Sequence, residues 1–91
     1  MVLGRVIGTI WATKKEPKLE GMKLQIVRPV ELDYSDKQGF VVAVDAVGAG
    51  VGEIVLICQG SSARQTELTH NKPVDATIMA IVDKLDVVDE S

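Results

Sequence analysis

An all-β fold, a small barrel or sandwich of short strands, is what this sequence predicts, and three observations predict it. Apolar and polar residues alternate at period two through the N-terminal third, the signature of half-buried strands. Later apolar runs are short, rich in Val and Ile, and separated by Gly, Pro, Asp and Ser clusters. With 91 residues the chain holds one domain, 1–91, and no more.

Val2 to Thr13, "VLGRVIGTIWAT", reads as the first strand. Val2, Val6, Ile10 and Ala12 share one face with Gly4 and Gly8; Leu3, Arg5, Ile7, Thr9, Trp11 and Thr13 share the other. "KEPKLEG" is loop. Lys23 to Leu32 is the second strand, with Leu24, Ile26, Val30 and Leu32 on one face. Pro29 has no N–H for a ladder, so it marks an edge or a bulge. "DYSDKQG", Asp33 to Gly39, is turn chemistry.

Phe40 to Val47 and Ile54 to Gln59 are third and fourth strands, apolar on both faces. In "GSSARQTELTHNKP", Ser61 or Ser62 is placed to cap one or two helical turns running through Leu68. Val74 to Val88 fits two readings. Val74, Ile78, Ile81, Val82 and Leu85 make a helical face, whereas the many β-branched residues favour a strand. The acidic tail "DVVDES" is expected to fray.

Composition narrows the function. Hydrophobic residues make up 46% of the chain, more than one thin core consumes, and predict a second buried surface such as a subunit interface. The net charge of −3 and three aromatics, Trp11, Tyr34 and Phe40, disfavour a nucleic-acid groove. The lysines of "TKKEPKLEGMK" are interleaved with Glu16 and Glu20, as in a solvated loop. One cysteine, Cys58, excludes an internal disulfide and fits a reducing compartment. No apolar run reaches the ~20 residues of a membrane span, and no signal peptide is seen, so a cytosolic protein is expected.

The stretch "DAVGAGVGEIVLICQGSSARQ", Asp45 to Gln65, carries the motifs that chemistry could use. Gly48, Gly50 and Gly52 are spaced G-x-G-x-G before a strand. A dinucleotide fingerprint needs G-x-G-x-x-G before a helix, and a P-loop needs a lysine. Tight turns account for these glycines better. Ser61 and Ser62 lack a nucleophile elbow, and His70 is the only histidine. One His and one Cys cannot complete a structural zinc site. Arg64 is either a solvated side chain or a guanidinium fork for a carboxylate or carbonyls. Asp45 and Asp75 are its candidate partners, or simply turn and cap residues. No cofactor or catalytic set follows from these residues.

"AVDAVGAGVGEIVLICQGSSARQ" (Ala43 to Gln65) resembles the EutN/CcmL family of bacterial microcompartment vertex proteins. "RVIGTIWATKKEPKLEGMKLQIVRPV" (Arg5 to Val30) is similar to the family's opening strand, T-x-K-x-P-x-L-x-G loop and second strand. "KPVDATIMAIVDKLDV" (Lys72 to Val87) is similar to its P-[VI]-D-x-x-x-x-x-I-[VI]-D ending. Trp11 departs from the small or aliphatic residue expected there. With the sequence stopping at Ser91, tail contacts of longer relatives are not expected.

The resemblance implies a five-stranded, OB-like barrel with one short helix and makes the last segment a strand. It implies a homopentameric ring that caps the vertices of a polyhedral shell beside hexameric shell tiles. The place implied is the bacterial cytoplasm, in that shell, with no nucleic acid, no membrane and no enzymatic step. Candidate boundary residues are then Ser61, Ser62, Arg64, Asp45 and Asp75. Candidate axis-lining residues are Gly48, Ala49, Gly50, Val51 and Gly52. The competing expectation is an OB-like barrel that binds a small ligand or nucleic acid.

Overall fold

In the computed structural model of the chain, which describes residues 1–88, β1 (Val2–Ile10) returns as β2 (Leu24–Pro29) through a loop holding a 3-10 turn, Pro17–Leu19. β3 (Val41–Asp45), β4 (Ile54–Gln59) and β5 (Ala76–Ile81) follow, with a second 3-10 turn, Gly60–Arg64, between β4 and β5. The strands close into a barrel in the order β1-β2-β3-β5-β4. Neighbours are antiparallel except β3 and β5, whose parallel contact is confined to Val44↔Thr77 and Asp45↔Ile78. The all-β barrel expected from the sequence is the observed fold. The ambiguous last segment is a strand because both its flanks pair. The tail expected to fray lies partly outside the described residues, at 89–91.

Strand ends follow from partners. β1 stops at Ile10 rather than Thr13 because Ile10 faces Leu24, the first residue of β2. β2 stops at Pro29 rather than Leu32. β3 pairs only Leu24 to Val27, so the rest of β2 is an edge, where the missing N–H is tolerated. In the β1–β2 ladder the irregularity lies instead in β1; the β4–β5 ladder has its own shift between Leu56 and Ile57. The β1 register shifts between Val6 and Gly8, so Ile7 bulges outward and is 41% exposed.

That bulge reverses the faces downstream. Gly4 and Gly8, expected on one face, fall on opposite sides of it. Thr9, not Gly8, comes opposite buried Gln25. Likewise β2 turns Gln25 and Val27 inward, while Leu24 and Ile26, on the face with the more apolar sequence, are only half-buried.

The interior is filled by Val6, Val27, Val55, Ile57 and Ile78, with Ala43, Ala49 and Ala76 between them. Five strands enclose little space, which suits small aliphatic side chains. Gly4 is required here, since a Cβ on it would lie 2.5 Å from Val27 Cγ1. A second cluster lies outside the barrel. Met22, Val44 and Val74 are buried there under Leu19 of the first 3-10 turn and Leu24.

Candidate functional site

The glycine loop is built on Asp45, the last residue of β3. Its Oδ1 accepts from the backbone N–H of Val47 at 3.0 Å and of Gly48 at 2.9 Å. Its Oδ2 accepts from the N–H of Ala49 at 2.8 Å. Gln25 Nε2 adds a 3.4 Å contact to Oδ2 and a 2.8 Å bond to the Ala49 carbonyl. Thr9 Oγ1 donates to Gln25 Oε1 at 2.7 Å. A chain of polar groups thus runs from the β1 wall through the barrel to the loop. No buried side-chain nitrogen or oxygen among the described residues is left without a partner.

Beyond Ala49 the loop closes on itself. Glu53 Oε1 accepts from the N–H of Gly50 at 2.6 Å. Gly52 N–H donates to Val6 O, and Val6 N–H to Glu53 O, fastening the loop at the β1 bulge. Gly48 and Gly52 have φ of 79° and 93°, which glycine adopts without strain. The donors that a phosphate would need are therefore already aimed at the chain's own carboxylates. Of the candidate axis residues, Ala49 is buried inward and Val51 is 66% exposed.

The 3-10 turn differs from the expected helix. Gly60, at φ 67°, opens it, and its N–H donates to Asp75 O at 2.8 Å. Gln59 occupies the cap position without a side-chain bond, and Ser61 and Ser62 lie exposed inside the turn rather than capping it. The turn ends at Arg64 instead of continuing to Leu68. Ala63 is fully buried, and its carbonyl accepts from Thr77 Oγ1 at 2.7 Å. Half-buried Arg64 donates from Nη1 to Val74 O at 2.9 Å. The barrel therefore brings Ser61, Ser62, Arg64 and Asp75 to one end. Asp45 lies at the opposite end with the glycine loop, and its carboxylate is engaged within its own chain.

Sequence reading missed Gln25, Thr9, Glu53 and Thr77, the side chains that hold these two features. All four sit in runs that look like ordinary strand or turn. Only the pairing of Thr9 with Gln25 across β1 and β2 exposes the polar thread.

Electrostatics elsewhere is local. Arg5 bridges Asp36 at 2.5 Å and donates to Tyr34 O at 2.7 Å, pinning the loop after β2. Ser35 donates its hydroxyl and then its N–H to Asp33, which holds that carboxyl below its ordinary value.

The outer surface carries several large apolar side chains. Leu32 and Phe40 are 64% and 65% exposed, and Trp11 88%. A groove of about 230 Å³ runs along the short β3–β5 seam, lined by Leu19, Leu24, Val42, Val44, Val74 and Ala76 among others. His70 lies exposed in a shallow recess with Gln65, Thr66 and Glu67.

Residues 1–83 match the family described as ethanolamine utilisation protein EutN/carboxysome. The shell vertex protein PduN of Salmonella typhimurium is 48% identical, over 93% of this chain and 98% of its own. The solved structure of Nostoc sp. PCC 7120 CcmL superposes with a TM-score of 0.92 at 42% identity, covering 96% of this chain and 92% of that one. The structure described as the GrpN pentameric microcompartment shell protein from Rhodospirillum rubrum gives 0.88 at 43% identity, covering 97% and 100%. With the same barrel and a match along nearly its whole length, this chain belongs to the EutN/CcmL family.

Proposed function

We propose that this protein is a five-fold vertex tile of a bacterial microcompartment shell, a structural element with no catalytic step. One observation carries the reading: likeness in sequence and fold, at 43% identity along nearly the whole of both chains, to GrpN, which is described as a pentameric shell protein. The physical logic agrees. A flat array of six-fold tiles cannot close into a polyhedron, and five-fold tiles at its corners supply the missing curvature. A ring needs two different patches per subunit that meet head to tail. The exposed Leu32, Phe40 and Val42, costly in water, supply material for such patches.

In this reading Ser61, Ser62 and Asp75 lie at the subunit boundary. Arg64, steadied by Val74 O, turns its remaining donors to the neighbour. Asp45 contributes indirectly, by fixing the loop. Gly48 to Gly52 face the axis and present Val51. Partners are further copies of the chain and the six-fold tiles of the same shell, in the bacterial cytoplasm.

A native mass spectrum tests this. Five copies of the 9.8 kDa chain are expected as the main species. A single-copy mass at micromolar concentration overturns the proposal.

A further inference from the structure

Among the described residues, 83–88 leave the barrel as an arm without a backbone bond to it. The chain's last such bond ahead of them runs from Val82 N–H to Ile54 O at 2.8 Å. Beyond it, Val87 and Val88 are 56% and 85% exposed, and Leu85 is only half-buried. The molecule is 50 Å long but 23 by 21 Å across. A nine-residue strand such as β1 accounts for about 30 Å of that length.

A groove of about 470 Å³ lies at the turn between β1 and β2, lined by Ile10, Trp11, Ala12, Met22, Lys15 and Lys23 among others. Trp11 stands 88% exposed on its rim. Charges match. The stretch Thr13 to Lys23 has four lysines against two glutamates, and Asp83 to Ser91 has four carboxylates against one lysine. Both features lie at one end of the barrel, because β1 and β5 both run antiparallel to β4 and so point the same way. The exposure of Trp11 and Val88 shows that the arm does not fill its own chain's groove.

We propose that the arm of one copy seats its Leu85–Val88 stretch in the Trp11 groove of the next copy around the ring. The proposal rests on the ring reading. A rotation that generates the ring keeps arm and groove at one level, so each subunit gives an arm and receives one. Apolar contacts with Trp11, Ile10 and Ala12 hold it, and Lys15 and Lys23 meet Asp83 and Asp86 at the rim, Asp86 giving up its exposed 3.6 Å pair with Lys84. Trp11 supplies a large flat contact there at little entropic cost.

The test is disulfide trapping between two differently tagged full-length chains, one carrying Ala12→Cys, which keeps Trp11 in place, and the other Val87→Cys. Wild type, whose Cys58 is 4% exposed, is the control. Mild oxidation of the co-expressed pair is expected to link the two different chains, and the wild type to stay unlinked. Adding Asp83→Lys and Asp86→Lys lowers the linking rate about fivefold, as the loss of rim ion pairs requires. In a chain bearing both cysteines, a link only within that chain overturns the proposal. So does the absence of any link in a sample whose native mass shows five copies, which leaves the ring itself standing. A single-copy mass without links removes both.

Discussion

Gln25 Nε2 donates to the carbonyl oxygen of Ala49 at 2.8 Å, inside a barrel where Gln25 is fully buried and Ala49 is 1% exposed. One amide joins the start of β2 to the glycine loop and, through Thr9, to β1. Replacing it by leucine keeps the bulk but strands both partners. Gln25→Leu is expected to cost about 1–3 kcal/mol. Urea unfolding checks this, with amide exchange at Val47 to Gly50 reporting a loosened loop. An unchanged midpoint removes the role given to Gln25.

Asp45 organises the same loop from the other side. Asp45→Ala leaves the N–H groups of Val47, Gly48 and Ala49 without their acceptor, at a cost on the order of 3 kcal/mol. Asp45→Asn keeps one oxygen but aims an NH₂ at another donor, so it falls between alanine and wild type. Thermal melts of the three proteins should rank in that order. Equal melting of Asn and Asp forms shows that both oxygens are not needed.

Two glycines of β1 separate crowding from flexibility. At Gly4 a Cβ would meet Val27 Cγ1 at 2.5 Å and Arg28 O at 3.0 Å. At Gly8 its nearest neighbour is Ile26 Cδ1 at 3.5 Å, ordinary contact. Gly4→Ala is therefore expected to destabilise by about 1–3 kcal/mol. Gly8→Ala should stay within about 0.5 kcal/mol or gain slightly, by restricting the unfolded chain. Similar losses at both sites contradict the bulge that puts them on different faces.

Arg64 has one bond to its own chain and, in our proposal, others to a neighbour. Arg64→Ala is expected to lower fold stability by only about 1 kcal/mol, through Val74 O. Ring assembly should weaken about tenfold or more, as loss of a buried anchoring arginine does. Native mass spectra over a dilution series, beside circular dichroism, separate the two effects. A mutant that holds its ring on dilution as wild type does refutes the boundary role.

Much of this architecture is legible in the sequence. β4 runs from Ile54 to Gln59 in the sequence reading and in the fold, because its apolar run is bounded by Glu53 and Gly60. The turn after Asp33 was visible in its Asp, Ser and Gly. The faces of β1 and β2 were not. A bulge is one inserted residue, and Ile7 carries no local mark of it; only the register against β2 does. Gln25 reads as a surface glutamine until Thr9 and Ala49 are placed around it. The serine cap failed for a similar reason. Gly60 takes a positive φ to reach Asp75 O, a partner far along the chain, and this draws Ser61 and Ser62 into the turn itself.

The placement of β5 between β3 and β4 bears on biosynthesis. A nascent chain that has not yet emitted residues 76–81 carries two open edges, each a template for pairing with another chain. Closure waits for the most C-terminal strand and for contacts spanning much of the polypeptide, which slows it. Ribosomes translating one message in tandem would hold many such half-sheets close together. The order of emergence thus exposes the wrong surfaces before the proposed ones: the second 3-10 turn, which our proposal places at the subunit boundary, takes shape only when Thr77 and Val74 arrive to fasten it.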